Sequence, residues 1–272
     1  SDPKPGNVDR EHDHDDTNLH HFLSGAVGAR GSLEDAARGR RSVGEAIHGC
    51  ARGASFHSGG NTQFGAFVLL VPLVTASETN QGRDSLIRRA ERVVDGTTTD
   101  DALRFYDCFD VVDVYTGSTD VLDVNDPESR RRIEDEGLTL RDVMERGTEE
   151  DGVAREWATG FERCREAAEL LDEEYDVEVE NPTNRAVATT YAELLADEPD
   201  GFVAKKHGEG VAEEVRRRTR EALDSEDRLD ALRELDDELV NRGINPGTTA
   251  DITAAGIFVN LWCENSTEGF GI

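Results

Sequence analysis

Three stretches of this chain carry side chains suited to phosphate and metal chemistry. The first is SDPKPGNVDREHDHDD, residues 1–16, which sets Lys4, Arg10, His12 and His14 beside Asp9, Glu11, Asp13, Asp15 and Asp16. Pro3 and Pro5 have fixed φ and no N–H, and Gly6 permits positive φ, so this run cannot be helix interior. It reads as an ordered turn that holds Lys4 at a fixed angle. Hard divalent cations take carboxylate oxygens, and Mg²⁺ typically binds through one or two carboxylates plus substrate phosphates. Asp9, Asp13 and Asp16 are the candidate metal ligands, with Lys4 and Arg10 as phosphate contacts. The plainer alternative is a solvated acidic terminus, common in a chain this acidic.

The second feature is a pair of turns, Gly59-Gly60-Asn61-Thr62 and Asn245-Pro246-Gly247-Thr248-Thr249-Ala250-Asp251. Each places glycine with amide or hydroxyl side chains at the start of an apolar segment. Free N–H groups and the positive end of the helix dipole would point there, which suits phosphate. Gly60, Asn61, Thr62, Gly247 and Thr248 are the candidate donors; ordinary N-capping is the competing explanation. Asp251 falls one turn into its helix on an apolar background, where a carboxylate needs a metal or arginine partner. The third feature is Lys205-Lys206-His207-Gly208, read as a basic spot before a helix. Lys206 and His207 there could clamp a polyphosphate, or simply form a surface patch.

The elements that must position these groups read as helical throughout. Leu19, Phe22, Leu23, Ala26 and Val27 form a stripe at helical spacing that predicts a packed face. Ser42 with Glu45 reads as a capping box, and Thr98 with Asp101 as a cap. The nearly all-apolar run from Phe64 to Ala76 predicts a central buried helix. Further helices are expected over 82–94, 100–112, 127–136, 139–146, a long one over 151–175, one from 182 to about 198, one over 202–223, one over 228–241, and a last apolar helix over 248–262. Residues 115–126 read as a loop. The fold class is all-α: residues 1–272 as a single helical domain with two buried central helices.

Composition excludes several functions. The net charge of −29 over 272 residues argues against nucleic acid and against anionic membrane surfaces. The acid is spread along the chain, and Lys4, Lys205 and Lys206 are the only lysines. That is the pattern of a protein working in a salt-rich, halophilic cytoplasm, where screening is nearly complete. Cys50, Cys108, Cys164 and Cys263 form no CxxC pair and read as reduced thiols. No apolar run is long enough to span a bilayer, and no signal peptide is visible.

Taken in order, Ser1-Asp2-Pro3-Lys4-Pro5-Gly6-Asn7-Val8-Asp9-Arg10, the Asp/His cluster, Gly59-Gly60-Asn61-Thr62, Lys205-Lys206-His207-Gly208 and Asn245 to Asp251 resemble the triphosphoribosyl-dephospho-CoA synthases over nearly the whole chain. The Pro-Lys-Pro-Gly-x-Val-Asp-Arg string is the specific part. The resemblance implies an all-α transferase that moves a triphosphoribosyl group from ATP to a ribose hydroxyl of a dephospho-CoA-like acceptor, with adenine leaving. It implies service to the acyl-carrier subunits of citrate lyase and malonate decarboxylase, and a further helix upstream of Ser1. One departure is visible: the family's Gly-x-Asn-Thr turn usually continues His-Lys-Gly, where this chain has Gln63-Phe64-Gly65.

Displacing adenine at an anomeric carbon passes through an oxocarbenium-like state, as in glycoside chemistry. The expected roles are Mg²⁺ on Asp9, Asp13 and Asp16, positive charge from Lys4, Arg10 and Lys206, and a base drawn from Asp251 or a carboxylate of the first cluster such as Asp9. A metal-dependent phosphohydrolase is the alternative, suggested by His12-Asp13-His14-Asp15-Asp16. A non-catalytic nucleotide-binding homologue is another.

Overall fold

The structure is a computed structural model that describes residues 2–8, 12–14, 17–55, 62–78, 82–112, 122–149, 151–176 and 178–264. Among them there are fourteen α-helices and no strand. The chain forms two compact units, one of residues 1–19 with 163–272 and one of residues 20–162. Among the described residues no helix is long and apolar enough to cross a membrane.

The middle unit holds α1 (Leu19–Ala37), α2 (Val43–Ala54), α3 (Phe64–Thr75), α4 (Arg83–Asp95), α5 (Thr99–Asp107), α6 (Pro127–Glu136), α7 (Leu140–Arg146) and α8 (Gly152–Thr159). Ser42–Glu45 and Thr98–Asp101 are both reciprocal capping boxes. The apolar run forms α3, with Leu69, Val71 and Leu73 fully buried. Pro72 sits inside that helix and has no N–H to give the Val68 carbonyl four residues back. The buried Trp157 indole of α8 donates to that carbonyl instead, at 3.2 Å. The strongest apolar segment thus has its one backbone gap closed by another helix.

The stripe on α1 is corrected. Leu23 and Val27 are 56% and 76% exposed, while Gly25, Ala29, Ser32 and Ala36 are the buried residues. The reason is close backbone approach: a Cβ on Gly28 would lie 2.0 Å from the Gly53 carbonyl oxygen of α2. Only small residues fit on that face, so the large apolar ones are left outside. Residues 115–121 of the expected loop lie outside the described residues.

The other unit holds α9 (Glu162–Glu173), α10 (Pro182–Asp197), α11 (Gly201–His207), α12 (Glu209–Leu223), α13 (Arg228–Asn241) and α14 (Gly247–Glu264). Two long helices expected from periodicity are each broken. Gly160 at φ 72 and the fully buried Phe161 at φ 59 end α8 before α9 starts, with the Phe161 amide bonded back to the Glu156 carbonyl at 2.8 Å. Gly208 at φ 92 separates α11 from α12. Lys205, Lys206 and His207 therefore form the last turn of a short helix, where the negative end of the dipole favours cations. One core cluster of this unit is Tyr191, Leu195, Val203, Ala212, Val215, Leu235, Leu239 and Ile244.

Candidate functional site

Residues 2–8 are not a solvated terminus. Asp2, Asn7 and Val8 are 9%, 6% and 4% exposed, and the string is laid against α10, α13 and the turn before α14. Arg185 Nε donates to Asp2 Oδ2 at 2.9 Å. The buried Tyr191 hydroxyl donates to the Pro5 carbonyl at 2.9 Å. Burial, with Asp200 and Asp236 nearby, pushes that phenol well above the usual tyrosine range, which keeps it a donor. The expected turn is present: the Asn7 amide donates to the Lys4 carbonyl at 2.9 Å, and Gly6 takes φ 77. A Cβ on Gly6 would stand 2.5 Å from the Ile244 carbonyl oxygen and 2.9 Å from Pro246 Cδ.

Two motifs far apart in sequence meet here. Asn7 Nδ2 donates to Asn245 Oδ1 at 3.1 Å, so the Pro-Lys-Pro-Gly string and the Asn-Pro-Gly-Thr-Thr turn are neighbours. Lys4 is half-buried, and its ammonium donates to the Val8 carbonyl at 3.1 Å and towards Asn7 Oδ1 at 3.4 Å. Its direction is set by the turn it belongs to.

The start of α14 is organised by a residue that sequence reasoning missed. Asp200 is 2% exposed. Its Oδ1 accepts from the Val203 amide at 2.9 Å and caps α11; its Oδ2 accepts from the Thr249 amide and hydroxyl, both at 2.8 Å. Burial raises its pKa, and these hydrogen bonds act in the opposite sense. One carboxylate thus joins two helix starts. The Gly247 amide is bonded to the Asn245 carbonyl at 2.8 Å, Thr248 is partly exposed, and Asp251 is half-buried one turn further on.

The cluster after the string is held from α13. His12 Nδ1 stands 2.9 Å from Asp236 Oδ2, off the line of a good hydrogen bond, and His12 Nε2 stands 2.9 Å from Asp237 Oδ1. His14 Nε2 contacts the Gly6 carbonyl at 2.9 Å, while Asp13 is exposed. Asp9, Arg10 and Asp16 lie outside the described residues, as do Gly60 and Asn61. Among the described residues no three or more His, Cys, Asp or Glu form a metal-sized group. Thr62, in the middle unit, has a buried hydroxyl without a hydrogen-bond partner. Lys206 is exposed, and His207 Nε2 is buried without a partner.

Asp236 was legible in principle. Leu232, Leu235, Asp236 and Leu239 follow helical spacing on the buried face of α13, so an acid occupies a core position. Asp200 follows Asp197-Glu198-Pro199, a plain helix-stop signal, and nothing in sequence tells that its second oxygen reaches Thr249.

These features set the class: an all-α protein whose amino-terminal lysine turn is built into the helical scaffold. The family model for ATP:dephospho-CoA triphosphoribosyl transferase matches residues 1–269, and the chain belongs to that family. The chain is similar to a crystal structure of a proposed triphosphoribosyl-dephospho-CoA synthase from Archaeoglobus fulgidus, at 28% identity and a TM-score of 0.74, over 89% of this chain and 99% of that one. No curated protein matches the chain significantly. The protein is an enzyme, a transferase of the kind that uses ATP and dephospho-CoA. Nothing in these relationships supports a phosphohydrolase.

Proposed function

We propose that the docked string of residues 2–8 is the part of the protein that handles the triphosphate of ATP during transfer of the triphosphoribosyl group to a ribose hydroxyl of dephospho-CoA, with adenine leaving. The observation that supports this is the Asn7–Asn245 contact, which joins the two motifs most suited to phosphate. In this reading Lys4, with Arg10, supplies positive charge, Lys206 supplies a further cation from the end of α11, and the turn at Gly247 and Thr248 offers polar contacts. Asp251 or Asp9 accepts the proton of the attacking hydroxyl, which sharpens the nucleophile as the glycosidic bond lengthens.

In this reading the carboxylates of the cluster after the string would suit Mg²⁺ rather than a softer metal, since hard cations prefer oxygen donors. His12 faces Asp236 and Asp237 with its two ring nitrogens, and His14 Nε2 contacts the Gly6 carbonyl, so the carboxylates are the ligands we consider. Asp13, with Asp9 and Asp16, would hold the ion as hard oxygen donors. When bound, it would neutralise charge on the triphosphate.

The test follows adenine release from ATP with dephospho-CoA in wild type and Lys4→Arg. Lysine is a compact point charge that contacts Val8 and Asn7, while arginine is a longer planar fork that presents its donors in a different geometry. Adenine release at saturating substrate is expected to fall at least tenfold, about 1.4 kcal/mol of barrier. Full turnover by Lys4→Arg would show that the turn is scaffolding and that the triphosphate binds elsewhere.

A further inference from the structure

Asp236 stands where a leucine would serve the core. It is 1% exposed and shares the buried face of α13 with Leu232, Leu235 and Leu239. A carboxylate in such a position lowers stability unless its oxygens are engaged. Here both oxygens face the amino-terminal string. Oδ1 accepts from the Gly6 amide at 2.8 Å, and Oδ2 stands 2.9 Å from His12 Nδ1. Gly6 is two residues from Lys4, and His12 is adjacent to Asp13. One buried side chain therefore holds the turn that aims the lysine and the segment that carries the exposed carboxylate. His14 closes the arrangement by contacting the Gly6 carbonyl, the other side of the same residue.

We propose that Asp236 is a positioning residue for the transferase, fixing the Lys4 turn and the Asp13 segment relative to each other; this rests on the reading of the string as the triphosphate site. It touches no reacting atom. It acts by removing freedom from two short stretches that carry charge, so that the charges are in place before substrate arrives. The neighbouring Asp237 is 65% exposed and contacts the other nitrogen of the same imidazole, which limits ring rotation but anchors no backbone.

The experiment compares the full chain with Asp236→Ala, Asp236→Asn, Leu235→Ala and Lys4→Ala. It measures adenine release from ATP with dephospho-CoA, and amide exchange of residues 2–14, below each variant's thermal transition. Asp236→Ala is expected to lower kcat at least tenfold and to raise exchange across residues 2–14. Asp236→Asn, which keeps an acceptor for the Gly6 amide, is expected to recover most of both. Leu235→Ala removes core volume from the same helix and is expected to lower thermal stability with kcat unchanged. Wild-type kcat in folded Asp236→Ala while Lys4→Ala is inactive would overturn the positioning role alone. Full turnover in Lys4→Ala would overturn the site reading, and the positioning role with it. An Asp236→Asn variant as impaired as Asp236→Ala while its amide exchange across residues 2–14 stays at the wild-type level would also overturn it, because loss of positioning would then not be the cause.

Discussion

Gly6→Ala places the largest calculable strain on the string while removing no side-chain group. Gly6 sits at φ 77, where a residue with a Cβ costs about 1–2 kcal/mol. The added carbon would also stand 2.5 Å from the Ile244 carbonyl oxygen, 2.9 Å from Pro246 Cδ and 3.1 Å from Leu239 Cβ. The first of these atoms is backbone and the second belongs to a proline ring, so neither can swing aside. Overpacking of this kind costs about 1–3 kcal/mol. Together the two effects oppose docking by about 2–5 kcal/mol, a factor of roughly 30 to several thousand in the docking equilibrium. Gly243→Ala is the matched control: it sits at φ 64 with no atom within 4 Å, so it carries the strain without the clash. The assay is adenine release at saturating substrates, with amide exchange over residues 2–8 and far-UV circular dichroism on the same samples. Gly6→Ala is expected to keep the helical spectrum, lose protection over residues 2–8 and lose at least nine-tenths of its turnover. Gly243→Ala is expected to keep protection and turnover. If the two variants behave alike, the close approach of Gly6 to Ile244 and Pro246 does not govern the site.

Asp200→Ala removes the cap of α11 and the acceptor shared by the Thr249 amide and hydroxyl, leaving buried donors without partners. The expected loss is at least about 3 kcal/mol, read from denaturant unfolding in high salt, and a loss below about 1 kcal/mol would show that water replaces the carboxylate. Glu238, bonded to Arg218 and to Arg242 at 3.0 Å, has its pKa lowered from the ordinary carboxylate value to about 2. A lowered carboxylate pKa gives stability that is present above the unfolded value of about 4.3 and is lost as pH falls through about 2. The stability difference between wild type and Glu238→Gln should therefore shrink between those pH values. The side chain is 40% exposed, so screening holds the difference below about 1 kcal/mol even at neutral pH. A difference that grows on acidification would contradict the pairing. Asp13→Ala is expected to weaken Mg²⁺-dependent ATP binding with the helical spectrum unchanged, because Asp13 is exposed and carries no packing. Equal affinity by calorimetry would move the metal ligands elsewhere.

Much of the fold could be read from local signals. Capping boxes at Ser42 and Thr98, the proline at the first turn of α6 and α10, and the nearly all-apolar run of α3 depend on residues within one or two turns of one another. The family resemblance was legible for a similar reason: Pro-Lys-Pro-Gly is a contiguous string with a fixed backbone. Tertiary contact decided which of two faces packs. On α1 the apolar stripe lost to a row of small residues, because close approach to Gly53 excludes large side chains whatever their hydrophobicity. The breaks at Gly160 and Gly208 lay inside good helical periodicity, which reports where side chains point but not where a glycine leaves the helix. The site shows the same division. Sequence supplied Lys4, Asn245 and Asp13 as types, each with a plausible surface explanation. Only the folded chain buried Asp2, Asn7 and Val8 and brought Asn7 to Asn245. It also turned Asp200 and Asp236 from members of an acidic majority into buried anchors, since a carboxylate's role depends on which N–H groups reach it, and those come from residues 49 and 230 positions away.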